Sequence, residues 1–331
     1  MKRKRILVGV ACCLAIFFFV AGPSDLCAEE VFITIGSGDI SGVYFPVGLT
    51  MARMLNEKRS AHGIRAVVEA TNGSTFNLMG ILAGYLEFGF AQSDTQNQAV
   101  GGRTAWKDKG PQSELRSVFS LHHEAVTLVA AIDAGITTLA DLRGKRVSLG
   151  NPGVSEHRII LNVLEAAGID PKRDIVQFDV MASDAPVLME DNRLDAYFFT
   201  VGHPNETVFK ALSGKRQARI VPISGPGIDR MVAERNDYIR TTIPVRQLYP
   251  EVGDQPDVPT MGVVAILCTS TRVSSDVVYA LTREIFENFE TFRNQHPALT
   301  RLTKKGILAG QSAPLHPGAI RYFREAGLMP P

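Results

Sequence analysis

The sequence predicts an α/β protein built in two parts. Three observations carry this. Short apolar runs of strand length alternate with segments whose apolar residues recur at helical spacing. Glycine-rich loops sit where such a run gives way to a helix. A chain of 331 residues also exceeds the roughly 100 to 200 residues of a typical domain, which favours two. Apolar residues make up 45% and charged residues 21%, enough for packed cores, while Gly 29 and Pro 18 exclude a collagen-like or low-complexity chain. The balance of 35 basic against 34 acidic residues gives no electrostatic reason to expect a nucleic-acid partner.

Taken in order, the chain opens on Lys2, Arg3, Lys4 and Arg5, followed by an uncharged run from Ile6 to Ser24 and a small residue, Ala28. This is the layout of an export signal, residues 1–28, with cleavage before Glu29. An uncleaved anchor stays open, because 19 uncharged residues fall within the roughly 17 to 25 that span a bilayer. Lipid attachment at Cys27 is the third option, in the poor context Ser24, Asp25, Leu26. Nothing after residue 28 is long and apolar enough to cross a membrane, so a soluble body outside the cytoplasm is expected. Removing four cations and Asp25 leaves 31 basic and 33 acidic residues, a net charge of −2. It also leaves Cys268 as the one cysteine, set in the apolar run Val263 to Leu267 and expected to pack as a small buried hydrophobe.

Val31 to Ile35 reads as a strand, followed by the loop Gly36 to Gly42 and a helix with Val47, Met51, Met54 and Leu55 on one face. Ile64 to Glu69 is a second strand, Thr71 to Ser74 a loop rich in capping residues, and the next helix carries Phe76, Met79 and Leu82 at helical spacing. Glu87 to Ala91 is a third strand, ended by Gln92, Ser93 and Asp94. Ser117 to Ala131 is a long strand interrupted by His122, His123 and Glu124, a candidate passage between domains. A turn at Leu139 to Gly144 feeds a strand, the loop Asn151 to Ser155 follows, and Ile159 to Ala167 is a helix stopped by Gly168. Asp195 to Phe199 is a strand ended by Thr200 to Pro204. The proline-rich stretch Tyr249 to Pro259 is a loop leading into the strand Met261 to Cys268, and helices Ser275 to Phe292 and Pro317 to Ala326 complete the chain.

Strand-to-helix junctions present free backbone N–H groups and the positive end of a helix dipole, a geometry that binds anions. Three such junctions, Gly36–Tyr44, Thr71–Ser74 and Asn151–Ser155, would suit a small carboxylate or zwitterion if they converge. Taken singly, each is equally read as an ordinary helix cap. Gly36, Gly38 and Gly42 fail the dinucleotide pattern, because the third glycine comes one residue late and Glu69 lies too far on for the ribose acid. Neither a Gly-x-Ser-x-Gly elbow nor a His-Glu-x-x-His helix occurs. His122 and His123 are adjacent on a strand, point to opposite faces and cannot chelate one ion together, so no metal or cofactor is expected. His203 is read two ways, as a ligand contact at the cleft or as a turn residue before Pro204.

Several segments resemble the TAXI family of solute receptors, which serve tripartite ATP-independent periplasmic (TRAP) transporters. They are Val31-Phe-Ile-Thr-Ile-Gly-Ser-Gly38, Gly42-Val-Tyr-Phe-Pro46, Asn72-Gly-Ser74, Phe88-Gly-Phe-Ala-Gln-Ser-Asp94, Asp141-Leu-Arg-Gly-Lys-Arg-Val147, Asn151-Pro-Gly153, Thr200-Val-Gly-His-Pro204, Val221-Pro-Ile-Ser-Gly-Pro-Gly-Ile-Asp229 and Ser312-Ala-Pro-Leu-His-Pro-Gly318. The resemblance implies a periplasmic-binding-protein type II fold: two α/β domains joined by crossover hinge segments, closing on a ligand without performing chemistry. Residues 29–121 with 260–331 would form the first domain and 122–259 the second. The implied ligand is a glutamate-like amino acid or small dicarboxylate, and the implied partners are TRAP membrane subunits, with a periplasmic monomer as the receptor. A ligand sensor that signals to a membrane partner without transport is the alternative.

Carried over position by position, Ser41 and Tyr44 match the first binding loop; Asn72, Gly73 and Ser74 the second; Gln92, Ser93 and Asp94 the segment behind it; and Thr200, Gly202 and His203 the far wall. After Asn151, Pro152 and Gly153 the family usually continues Ser-Gly-Thr-Arg, whereas here the chain reads Val154, Ser155, Glu156, His157, Arg158. His157 thus stands at the usual arginine position. Arg158 is turned away from it by about 100° on a helix. A His157 facing the cleft would make binding pH-dependent.

Overall fold

The computed structural model describes residues 30–150 and 155–330, with Ser155 by its backbone alone. The order of elements is β1 (Val31–Gly36), α1 (Tyr44–Glu57), α2 (Arg59–His62), β2 (Ile64–Glu69), α3 (Ser74–Ala83), β3 (Phe88–Gln92), α4 (Ser93–Val100), β4 (Leu115–Ala131), β5 (Arg146–Ser148), α5 (Ser155–Ala166), α6 (Pro171–Asp174), β6 (Val176–Phe178), α7 (Ala185–Glu190), β7 (Ala196–Val201), α8 (Glu206–Ser213), β8 (Ala218–Val221), α9 (Pro226–Glu234), β9 (Ile239–Ile243), α10 (Val245–Leu248), β10 (Val258–Ser270), α11 (Ser275–Glu287), α12 (Phe289–Arg293) and α13 (Pro317–Glu325). The export segment 1–28 expected from the sequence and the loop 151–154 lie outside the described residues. Among the described residues no helix is long and apolar enough to cross a membrane.

The strands join one sheet in the order β2-β1-β3-β10-β4-β7-β5-β6, with β8 added to β4 and β9 to β10. At one end β1 runs parallel to β2 and β3, and at the other β5 runs parallel to β6 and β7. Between these parallel groups β10 and β4 are antiparallel to each other and to the strands beside them. Both are long: 17 residues for β4 and 13 for β10, or about 55 and 43 Å at ~3.3 Å per residue. Each therefore serves two neighbourhoods. β10 pairs with β3 through Ala265 to Cys268 and with β9 through Val258 to Gly262, while β4 meets β7 and β8 through its second half, Ala125 to Ala131.

Apolar packing follows this layout. The α1 face of Val47, Met51, Met54 and Leu55 is buried in a large core that also takes in Phe119, Phe286 and Phe323. A second core sets Ile159, Ile160, Val163 and Leu164 of α5 against Val126, Leu128 and Phe198 of the sheet. A third gathers Leu78, Ile81, Trp106, Leu115 and Cys268. There the Cys268 thiol is fully buried beside Gln96 Nε2 at 3.1 Å, and burial pushes it up to about 12, the state of an inert thiol.

The structure departs from the sequence reading in four places. The core face of α3 is Asn77, Leu78 and Ile81, with Phe76 46% exposed, because the buried Asn77 amide donates to the carbonyls of Ser37 (2.6 Å) and Phe90 (2.8 Å) and fixes the rotation of the helix. Residues 93 and 94, read as the end of the third strand, begin a helix, α4. Its buried side is polar, with Ser93, Asp94, Thr95 and Gln96, so it carries no hydrophobic period to read. Thr200 and Val201 lie within β7. The C-terminal helix expected over 275–292 is broken at Asn288, whose side chain bonds back to the Glu284 carbonyl at 2.9 Å, a local competition that interrupts helices.

Candidate functional site

The loop after β1 is tied to its neighbours before any ligand is considered. Asp39 accepts from the Ser41 N–H at 2.8 Å, the Ser37 hydroxyl donates to the Glu69 carbonyl at 2.7 Å, and the Thr71 hydroxyl lies 2.7 Å from Asn77 Oδ1 and 3.1 Å from the Ser37 carbonyl. Asn77 is thus the pin that holds the first and second junctions to the end of β3. Gly73 precedes α3 at φ 79° and ψ −154°, a conformation open to glycine and costly for other residues. Neither α1 nor α3 receives a hydrogen bond from a capping side chain.

These junctions meet at a cavity of about 140 Å³. One side is Gly38 to Tyr44 with Thr71 to Ser74, the floor is Gln92 and Glu124, and the far side is Glu156 of α5, Met181 to Ser183, and Phe199 to Val201 of β7. At roughly 10–15 Å³ per water-sized position, it has room for on the order of ten small groups. Three buried polar atoms in its wall have no hydrogen-bond partner: Tyr44 Oη, Gln92 Oε1 and Thr200 Oγ1. Unpaired buried polar atoms are costly, so a wall carrying several of them is shaped for a polar guest. Tyr44 is held by stacking on Phe90, with ring centroids 5.1 Å apart, and by an edge contact with His122 at 6.2 Å.

The electrostatics differ from those of a simple anion site. Carboxylates from three separate segments, Asp39, Glu124 and Glu156, line the cavity, and no Lys or Arg does so among the described residues. Glu124 is buried; its Oε2 accepts from Gln92 Nε2 at 2.7 Å, and its Oε1 stands 3.5 Å from His122 Nε2 without a hydrogen bond. Burial first, then the charges of Glu124 and Asp39, push the Glu156 carboxyl up to about 8, offset in part by the Thr200 backbone. Burial and the neighbouring Glu124 likewise drive the Tyr44 hydroxyl well above its ordinary value.

Of the positions singled out in the sequence, Ser41, Tyr44, Asn72, Gly73, Ser74, Gln92 and Thr200 line this cavity. The others lie elsewhere. The Ser93 hydroxyl donates to the Asp237 carbonyl at 2.8 Å and accepts from the Val264 N–H at 3.0 Å, inside the protein. Asp94 is fully buried beside Asp237. Gly202 backs onto His122, where an added Cβ would come within 2.5 Å of the imidazole. His203 is held between Thr127 (2.8 Å) and Tyr249 (2.6 Å), and burial pushes its imidazole down to about 3. It borders a separate cavity of about 560 Å³ shared with His122, His123 and Arg301. His157 does not reach the main cavity, because its Nδ1 is engaged by the Leu149 carbonyl at 3.0 Å. Arg158 is exposed and lines a different surface pocket. Gly153 lies outside the described residues, and Ser155 is placed as the first residue of α5.

Sequence reasoning did not pick out Asp39, Met181 to Ser183 or Phe199, and it read Glu124 as part of a hinge-side patch. A carboxylate in an otherwise apolar strand was the available signal for Glu124.

A family model described as the NMT1-like family matches residues 35–327. Among solved structures, the chain is similar to the alkanesulfonate-binding protein SsuA from Xanthomonas axonopodis pv. citri, at 16% identity and TM-score 0.46, over 92% of this chain and 96% of that one. It is similar to the periplasmic aliphatic sulphonate binding protein SsuA from Escherichia coli, at 15% identity and TM-score 0.48, over 92% and 85%. It is also similar to a binding protein component of an ABC phosphonate transporter from Pseudomonas aeruginosa, at 10% identity and TM-score 0.50, over 81% and 79%. At 10% identity the last of these likenesses speaks for fold alone, a mixed α/β architecture.

Proposed function

The chain belongs to the NMT1-like family, and from that premise we propose that it is an extracytoplasmic solute receptor that captures a small organic acid or amino acid for a membrane permease, performing no chemistry on it. The observation that carries this reading is the meeting of the loops after β1 and β2 with the start of α5 at one small cavity whose wall holds three unpartnered buried polar atoms. The N-terminus of α1, which receives no side-chain cap, would take the carboxylate, in the manner of anions at helix N-termini.

The finer assignment is a receptor of a TRAP transporter of the TAXI type, working as a periplasmic monomer after removal of residues 1–28. It rests on the sequence motifs, and the sulfonate, amino-acid and phosphonate binders among similar folds agree with the broader role. In this reading residues 29–121 with 260–331 form one lobe and 122–259 the other, and β4 and β10 are the crossovers between them.

A thermal-shift screen of amino acids and small mono- and dicarboxylates tests the proposal. A solute at 100 times its dissociation constant should stabilise the protein by about 2.7 kcal/mol. No shift with any of them, in a sample that melts cooperatively, would overturn it.

A further inference from the structure

We infer that the solute carries a positively charged nitrogen, seated between Glu124 and Glu156, and that these two carboxylates exclude organic acids that lack it. This rests on the receptor reading and sharpens its ligand class. The cavity has two chemically unlike sides. On one, the N-terminus of α1, which receives no side-chain cap, faces the cavity beside Tyr44 and can offer backbone N–H donors. On the other, Glu124, Glu156 and Gln92 present their oxygens. Gln92 donates its amide N–H to Glu124 Oε2 and so presents Oε1, which has no partner, while Glu124 Oε1 stands 3.5 Å from His122 Nε2 and Glu156 closes the side.

An ammonium brings three donors and one positive charge, which is what such a side lacks. A dicarboxylate would instead place its second anion beside Glu124 and hold Glu156 in its protonated form, with no Lys or Arg lining the cavity among the described residues. Like charges brought together out of water are strongly unfavourable. The buried Gln92 Oε1, an acceptor without a partner, points independently to a missing donor in the same place. A zwitterion satisfies both sides at once.

Proton linkage gives a second readout. The titratable groups facing Glu156 are Glu124 from β4 and Asp39 from the loop after β1, with Tyr44 of α1 and His122 of β4 grouped around Glu124. A cation arriving beside Glu156 favours its ionised form, so binding should expel a proton and tighten as pH rises from about 6 to 8. A dicarboxylate would do the reverse.

Calorimetry on the wild-type chain decides the matter, titrating the common amino acids and, for each that binds, its deaminated analogue, at both pH values and with and without calcium. The expected result is at least about hundredfold preference for the amine, as for a site whose buried acceptors would otherwise go unpaired, with tighter binding at the higher pH. Glu124→Gln and Glu156→Gln should each weaken the amine ligand by about tenfold or more while melting as cooperatively as wild type, and Glu156→Gln should flatten the pH dependence. Equal binding of the deaminated analogue, or its binding only with calcium, overturns the inference and leaves the receptor reading standing. Binding of neither class overturns the receptor reading and the inference with it.

Discussion

Asp94 shows how far a single side chain can be taken from its solution chemistry by position. It is fully buried at the start of α4, its Oδ1 accepts from the Thr95 N–H at 2.7 Å, and its Oδ2 has no partner. Burial, then the charge of Asp237, push its carboxyl up to about 7, only partly offset by the Thr95 backbone and Arg235. An acid raised in the folded state favours folding in its protonated form. Its contribution is therefore complete below about pH 4 and is lost as pH climbs toward 7, by on the order of a few kcal/mol at most. Asp94→Asn, which is neutral at every pH, should raise the melting temperature at pH 8 and leave it nearly unchanged at pH 4. Equal effects at both pH values would show that the Asp94 carboxyl titrates in the folded protein as it does in the unfolded chain. Asp94 stood among the residues expected at the ligand. Its side chain instead packs inside the protein, because the short polar run after β3 folds into a helix that buries it.

At the scale of elements, the β4–β10 ladder sets the acidic side of the cavity. Gly262 of β10 lies opposite Ala125, and a Cβ there would come within 2.2 Å of the Glu124 carbonyl oxygen. Gly262→Ala must push the two strands apart at the residue that carries the cavity's carboxylate. The expected cost is about 1–3 kcal/mol in denaturant unfolding, with weaker solute binding in the fraction that stays folded. Unchanged stability and affinity would mean that the ladder yields without moving Glu124. Most elements were legible in advance: β1, β2, α1 and α5 from their patterns, and two of the ends from Gly36 and Gly168. What escaped was α4 and the rotation of α3, since both are set by polar groups buried against other segments. The hydrophobic period that reports an amphipathic face is silent where the buried face is polar.

On the scale of the whole molecule, two long strands run through a sheet whose two ends are parallel and whose centre is antiparallel. If they are the crossovers of a hinge, solute binding should draw the two sides of the cavity together, and small-angle scattering should give a smaller radius of gyration with saturating solute than without. An unchanged radius with solute bound would make the protein one rigid body. By itself the sequence determined the α/β class, the strand-to-helix junctions and the helix N-termini that suit a carboxylate. Each depends on spacing within a few residues, where propensity and periodicity act. Tertiary structure alone decided that His157 turns to the Leu149 carbonyl, that His203 belongs to another cavity, and that Asp39, Glu124 and Glu156 line the same one. Those carboxylates are far apart in the chain and close in space. The charge a solute meets depends on which segments the sheet brings side by side, and no local pattern encodes that.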